Sequence, residues 1–577
     1  MANIAEQVVK MLADAGIKRI YAVTGDSLNE INDAVRRADD MEWIHVRHEE
    51  VGAFAAGAEA QLNGLACCAG SSGPGHVHLI NGLYDAHRSG AAVLAIASTT
   101  PSEEFGTEFF QETNTIKLFD DCSCYNQIAT TPHQAPRMLQ TAIQHALHKK
   151  GVAVFGIPGD LAAMDAVESA AAMQVFRAET VMHPTAEGLN NFARLIKGSE
   201  KITIFCGMGC RDAHDEIVTL AKKIKAPVGY SFKGKMYVQH NNPYEIGMTG
   251  LLGLPAAYQS MKESDLLILL GTDFPYNIFL PNDCKIIQVD EKPEHIGRRA
   301  KVDLGLAGHI KDTLQVLLPL IESKENEDFL KKQLEFYEHV NKTIRVYVED
   351  EGETDLIHPE FVASVINELA DDNAIFTVDT GMCCVWGARY IDATGKRELL
   401  GSFNHGSMAN AMPQAIGAAL ARPGTQVIAL CGDGGLMMLL GDLATIVQYK
   451  LPIKLIVFNN GSLGMVKLEM EVAGLIDSQT DLPDTDFAAV AESLGMKGFS
   501  AHKPGDVRTA IANALAHPGP ALVNVITDPN ALAMPPKTDF AQMKGFAISM
   551  TKLMFTGRMD EVVAIIKSNY KHIKEAF

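Results

Sequence analysis

Short apolar runs of strand length alternate with helix-length segments three times along this chain, and nothing else in it restricts the fold so tightly. From 1 to 180 the pattern predicts helix 3–15, strand 19–23, helix 28–38, strand 43–47, helix 50–63, strand 65–70, helix 76–88, strand 92–97 and strand 152–157. The stretch 162–184 has no clear period and reads as a linker. A second block, 185–340, has strands at 201–206, 227–230, 265–270 and 285–289, with helices at 212–224 and from 311. The charged stretch that follows reads as a solvated helix plus linker. The third block, 356–530, predicts helix 359–369, strand 374–378, helix 412–421, strand 426–431, helix 436–449, and strands 453–458 and 522–526. Such alternation means βαβ units and parallel sheets with helices on both faces. The expected class is α/β, three open parallel-sheet domains, with blocks one and three resembling a duplication and a tail at 531–577.

Composition narrows the partners. Fifty basic against seventy acidic side chains give a net charge of −20, which disfavours nucleic acid as a partner. The ten cysteines form no CxxC and no zinc-ligand spacing, and several lie in apolar runs where a reduced, buried thiol is expected. The N-terminus reads as an amphipathic helix without the features of a signal peptide, and no apolar run approaches a membrane span. A cytoplasmic protein is expected.

In open parallel sheets ligands bind at the carboxyl ends of strands. Strand 426–431 ends in Gly432-Asp433-Gly434-Gly435, and the next strand ends in Asn459-Asn460. Taken alone, GDG is a tight turn with a helix-capping aspartate. The paired strand ends and the interval to Asn460 turn the reading to a site: Asp433, Asn460 and a carbonyl near Ser462 are hard oxygen ligands suited to Mg²⁺. The glycines would let backbone approach phosphates, with helix N–H groups aimed at them.

GDG followed by NN at this interval resembles the signature of thiamine-diphosphate enzymes. RHEEVGAFAAGAEA, SSGPGHVHLINGLYDAH, FFQET, GTDFPY and GSFNHGSMANAMPQAIGAAL extend the resemblance over nearly the whole chain, to the pyruvate oxidase branch and most closely its quinone-dependent pyruvate dehydrogenases. The resemblance implies a pyrimidine-binding domain at 1–180, an FAD-binding domain at 185–340 and a diphosphate and Mg²⁺-binding domain at 356–530. Glu49 would hold the cofactor's pyrimidine ring, buried and with a raised pKa, and would meet the Asp433 site of another subunit. That implies an obligate dimer at least, and a homotetramer by resemblance. From the residues alone, Glu49 is a first-turn carboxylate favoured by the helix dipole.

By the same resemblance Gly406, Ser407 and Met408 place a methionine wedge under the cofactor; from the residues alone Met408 is core packing. Phe110 and Gln111 would line the substrate pocket, with Met465, Val466 and Glu469 facing it. Met465 stands where several relatives carry an aromatic, and His76, read as a loop variant, where an asparagine is expected. Gly207 and Gly209 form only an incomplete GxGxxG, which reads equally as an ordinary strand–helix turn. Resemblance places Thr249, Gly250, Leu251 and Leu252, then Thr272, Asp273, Phe274, Pro275 and Tyr276, and finally Asp290, at the flavin.

Met559, Val562, Val563, Ile566, Tyr570, Ile573 and Phe577 recur at spacings of three and four, with Lys567, Lys571 and Lys574 opposite. That pattern fits a helix lying on an anionic membrane surface, or a terminal helix docked on the protein itself. The implied activity is oxidative decarboxylation of pyruvate to acetate and CO₂ through a thiamine-diphosphate enamine, electrons passing through FAD to a membrane quinone. The alternatives are an oxygen- and phosphate-dependent oxidase making acetyl phosphate and peroxide, an acetolactate-forming carboligase, and a non-catalytic Mg²⁺-phosphate-binding protein.

Overall fold

Apolar runs such as ITIFC, LLILL and VIALC have no polar face to show to water, so they become central strands covered on both sides. In the computed structural model, which describes residues 2–167, 174–178, 180–348, 356–531, 540–555, 558–569 and 571, they build three six-stranded parallel sheets. The first contains β1 (Arg19–Ala22), β2 (Glu42–His45), β3 (Ala66–Gly70), β4 (Val93–Thr99), β5 (Tyr125–Ile128) and β6 (Val152–Pro158) in the order β2-β1-β3-β4-β6-β5. The third contains β13 (Ile375–Val378), β14 (Glu398–Gly401), β15 (Val427–Gly432), β16 (Lys454–Asn459), β17 (Lys497–Ala501) and β18 (Ala521–Ile526), ordered β14-β13-β15-β16-β18-β17. Counted from the first strand of each, the two orders are identical, so the expected duplication is present.

The middle sheet differs. Its strands β7 (Ile202–Cys206), β8 (Val228–Tyr230), β9 (Glu245–Met248), β10 (Leu266–Leu270), β11 (Lys285–Asp290) and β12 (Leu304–Ala307) run β12-β11-β10-β7-β8-β9. Numbered within the domain this is 3-2-1-4-5-6 read from the other edge, the order of dinucleotide-binding folds, with its switch point between β7 and β10.

Five strands escaped the alternation: β5, β9, β12, β14 and β17. All five are edge strands, and most carry a mixture of partly exposed positions in place of a continuous apolar run. Two further expectations are corrected. The charged stretch after 320 forms the helix Asp328–Ile344, which buries Leu330 and Val340 instead of lying free in solvent. The predicted helix 436–449 is broken into Asp433–Met438 and Leu443–Gln448. At the break, the buried Asp442 carboxylate accepts the Arg47 N–H from the first domain (2.9 Å) and the Thr445 hydroxyl (2.7 Å), which a continuous helix would not offer.

One hydrophobic core runs through the first and third domains. The helices Glu49–Asn63 and Ala411–Ala421 cross there on faces of alanine and glycine. A Cβ on Gly417 would stand 2.0 Å from the Ala55 carbonyl oxygen, so only glycine allows the approach. The long motifs AFAAGAEA and AMPQAIGAAL therefore serve this joint. All ten cysteines are free thiols, Cys124 and Cys284 partly exposed and the others buried. Among the described residues no helix is long and apolar enough to cross a membrane.

Candidate active site

β15 and β16 are parallel neighbours in register from Ile428↔Lys454 to Gly432↔Phe458, so their ends release Asp433 and Asn460 on the same side of the sheet. The Asp433 carboxylate accepts the N–H of Gly434 (2.8 Å) and of Gly461 (2.7 Å), which joins the two loops. Burial pushes its carboxyl group above the usual range, against the pull of those N–H groups. Asn460 Oδ1 accepts the Ser462 N–H (3.1 Å), while Ser462 Oγ is buried without a partner. A carboxylate, an amide oxygen and an orphaned hydroxyl at one pocket wall are a donor set that fits a small hard cation.

The pocket has about 900 Å³ of empty space including its open mouth, and Asp433, Asn460, Ser462, Met408, Met465 and Val466 line it. Gly434 and Gly435 line it as well, but packing accounts for them. A Cβ on Gly435 would lie 1.9 Å from Asp379 Oδ2, and one on Gly434 2.9 Å from the Leu463 side chain. Asp379, at the end of β13, accepts the backbone and side-chain N–H groups of Asn410 (3.1 and 3.2 Å), and burial pushes its carboxyl up to about 7.

The helix Gly464–Val472 carries two glutamates with different surroundings within one chain. Glu469 is exposed and does not line the pocket; Glu471 does, 2% exposed, with one carboxyl oxygen unpartnered and its pKa raised by burial. Gly464, Leu468 and Glu471 fall on one helix face at helical spacing, while Met465 and Val466, which also line the pocket, flank the Glu469 position. Gly406 and Ser407 likewise stay off the pocket wall. Their turn is tied to the first domain, where Asn81 Nδ2 donates to Ser407 Oγ (2.8 Å).

Glu49, Phe110 and Gln111 lie in the first domain and are absent from the walls of this pocket within one chain. Glu49 opens its helix and is buried; its Oε2 pairs with His78 Nδ1 at 2.9 Å, and the His78 ring stacks on His48 at 4.4 Å. The three side chains also have the spacing of a metal triad, although His48 Nδ1 already caps the helix by accepting the Glu50 N–H (3.2 Å). Phe110 is 77% exposed, and Gln111 has φ 62° beside Gly73. His76 is no loop variant. It sits wholly buried in the first turn of the helix Pro74–Ser89, with Nδ1 on Thr113 Oγ1 and Nε2 on the Ser98 carbonyl (both 2.8 Å), and burial lowers its pKa to about 4. It thereby pins the segment after Phe110 to the end of β4.

In the middle domain the candidate flavin residues gather at the carboxyl ends of the strands. Thr249–Leu252 follow β9, Thr272–Tyr276 follow β10, and Asp290 ends β11. Thr249 Oγ1 is buried and unpartnered, an opening for a polar ligand. Phe274 is core, whereas Leu251 and Tyr276 are exposed. Asp273 is held by Arg298 and Arg299, which keep its carboxyl low against the opposing effect of burial. Asp290 accepts the Lys292 N–H (2.9 Å), and burial raises its pKa. Gly207 and Gly209 are required by packing: a Cβ on Gly207 would stand 2.4 Å from the Gly271 carbonyl oxygen, across the switch point.

Comparison with known proteins matches these three domains one by one. The thiamine pyrophosphate enzyme N-terminal TPP binding domain matches residues 2–118, the central domain 189–317 and the C-terminal TPP binding domain 379–525. The thiamine pyrophosphate-containing protein YdaP of Bacillus subtilis is 37% identical over 98% of both chains. This chain belongs to the thiamine pyrophosphate enzyme family. Within that family it is similar to the pyruvate oxidase of Lactiplantibacillus plantarum, 30% identical over 90% of this chain and 87% of that one. It is also similar to the large subunit of acetolactate synthase isozyme 1 of Escherichia coli, 28% identical over 91% and 94%. The chain is thus an enzyme of a thiamine-diphosphate-dependent group that includes both kinds of relative.

Three residues of this family member were not singled out from the sequence. Asp379 was hidden because a lone aspartate after a strand reads as a turn. Glu471 was within reach, since the 464/468/471 spacing is visible. His78 carried no signal until the fold set it on Glu49.

The C-terminal segment departs from a single apolar face. In the helix Met559–Ser568, Val562 and Ile565 dock on the protein, and Ser568 Oγ donates to Asp528 Oδ2 (2.6 Å). Met559, Val563 and Ile566 stay exposed on another side. Tyr570, Ile573, Lys574 and Phe577 lie outside the described residues.

Proposed function

We propose that this chain catalyses the oxidative decarboxylation of pyruvate to acetate and CO₂ with thiamine diphosphate, Mg²⁺ and FAD, and delivers the electrons to a membrane quinone. The observation that carries the reading is the pairing of two sites in one chain. One is the oxygen-lined pocket at Asp433, Asn460 and Ser462; the other is a separate domain with dinucleotide-fold strand order. The pyruvate oxidase relative supports the substrate.

In this reading Asp433, Asn460 and Ser462 hold the cation, and Met408 packs beneath the cofactor. Thiamine diphosphate, when bound, supplies a nucleophilic carbon and an electron sink for the bonding pair released with CO₂. Glu49 of a second copy, oriented by its own His78, would hold the cofactor's pyrimidine ring through its carboxyl group. Its absence from the pocket of its own chain supports a dimer as the smallest active unit, with a tetramer as the larger assembly. Glu471 presents a protonatable oxygen to the space left for substrate, beside Met465 and Val466. Phe110 and Gln111 would reach it from the second copy. Thr249–Leu252, Thr272–Tyr276 and Asp290 hold the flavin. The reaction balances as pyruvate and water giving acetate, CO₂, two protons and two electrons for the acceptor. The exposed strip Met559, Val563 and Ile566 supports docking at a lipid surface, where a quinone is dissolved.

An anaerobic visible spectrum of the purified protein with thiamine diphosphate and Mg²⁺, before and after pyruvate, tests the reading. Flavin bands that bleach support it, and reoxidation by quinone rather than oxygen completes it. A flavin that stays yellow while CO₂ is released favours the acetolactate-forming alternative, which the synthase relatives support. Absence of flavin overturns the oxidase reading. Removal of 555–577 should abolish liposome binding and quinone turnover; unchanged values would sink the membrane part.

A further inference from the structure

The helix Met382–Tyr390 joins the two candidate cofactor regions. Its first turn belongs to the thiamine pocket, whose wall includes Gly381, Met382, Cys383 and Trp386. Its last turn is locked into the middle domain by bonds running in both directions. Arg389 Nε donates to the Leu252 carbonyl (3.0 Å) and Arg389 Nη2 to the Gly253 carbonyl (3.2 Å). In return Lys235 Nζ, buried just beyond β8, donates to the Ala388 carbonyl (2.6 Å) at the helix C-terminus, where a cation is favoured.

The segment gripped by Arg389 is a tight turn. Gly250 has φ 118°, the Gly253 N–H returns to the Gly250 carbonyl (2.9 Å), and a Cβ on Gly253 would lie 2.4 Å from the Thr249 Cα. It contains Thr249, whose buried hydroxyl lacks a partner, and Leu252, which packs against the cores of both the middle and the third domain. A turn this small can shift as one body, and its outward carbonyls are what hold it to the neighbouring domain. A guanidinium reaches two of them at once in a rigid planar fork; a lysine amine cannot.

We infer that Arg389 is a positioning residue that sets the flavin-side turn 249–253 in register with the thiamine pocket, so that one nine-residue helix fixes the relation between the two cofactors. This rests on the FAD reading above. Arg389 touches neither substrate nor reacting atoms, so its loss should separate two rates that a general loss of stability would lower together.

The test compares wild-type holoenzyme with Arg389→Met and Arg389→Lys. In Arg389→Met, FAD should dissociate about tenfold faster, read as the return of flavin fluorescence on dilution. The rate of anaerobic flavin bleaching by pyruvate should fall about tenfold relative to CO₂ release, with Mg²⁺–thiamine diphosphate affinity unchanged. Arg389→Lys keeps the buried charge and should fall between the two, and it carries the test if Arg389→Met does not fold. Wild-type FAD release and an unchanged bleaching-to-CO₂ ratio in a folded variant would overturn the inference alone. A wild-type protein that binds no FAD would overturn the flavin reading and this inference with it.

Discussion

The first and third domains run six strands in the same order, yet they carry different equipment at the same sheet edge. After its third and fourth strands the third domain has Asp433 and Asn460, joined through the Gly461 N–H into one oxygen-lined wall. At the corresponding ends the first domain has Ser71 and Ser72 after β3 and Thr100 after β4, and its buried carboxylate, Glu49, comes after the second strand. In the proposed reading, a repeated fold separates the group that would hold a cation from the carboxylate that would meet the cofactor's pyrimidine ring. The lesson is that the sheet provides positions and the loops provide chemistry. In that reading neither half contains a complete site by itself.

The largest expected effects come from breaking each half separately. Asp433→Ala should abolish Mg²⁺-dependent retention of thiamine diphosphate, measured by titration calorimetry, and activity with it. Glu49→Gln should lower CO₂ release by at least about 100-fold while the cofactor still binds. If Glu49→Gln turned over like wild type, the division of labour between halves would be wrong, as would the mechanism. Catalysis at a wild-type rate in Asp433→Ala would show that the cation site lies elsewhere.

The joint between the halves comes next. Gly417→Val forces a side chain into the Ala55 carbonyl and should cost about 3 kcal/mol, seen as a fall in the denaturation midpoint. A stable variant would mean that the helices can slide apart. A smaller effect separates two neighbours in one helix. Glu471→Gln should lower kcat/KM for pyruvate about tenfold, and Glu469→Gln should stay within about twofold. The reverse ranking would favour the sequence-based expectation that Glu469 faces the substrate.

The smallest effect at neutral pH belongs to His76. Its folded pKa, about 4, lies below the unfolded value near 6.5, so the unfolded state binds more protons between those values. Stability from this group is therefore complete above about pH 6.5 and lost as pH falls towards 4, by up to about 3 kcal/mol. His76→Asn should flatten the dependence of Tm on pH in that window. An unchanged slope would remove His76 as its source.

Much of this molecule was legible before any coordinates, because central parallel strands must be apolar throughout and the alternation with helices then dictates the class. Asp433 and Asn460 were legible for a related reason: a residue that directly follows a strand is delivered to the ligand edge by the sheet itself. Edge strands β5, β9, β12, β14 and β17 were not, since one free edge lets them mix polar and apolar residues. The break at Asp442 was invisible because its cause, the Arg47 N–H, lies 395 positions away in the chain.

What the sequence alone determined is the set of three α/β domains, their duplication and the residues released at the strand ends. These depend on local periodicity and on the geometry of a strand meeting a loop. Tertiary structure alone shows why Gly417 and Gly435 admit no side chain. It also set His78 against Glu49 and Arg389 on the carbonyls of Leu252 and Gly253. Each is a contact between segments far apart in the chain, fixed by close packing at distances of a few ångströms, and residue spacing carries no record of such distances.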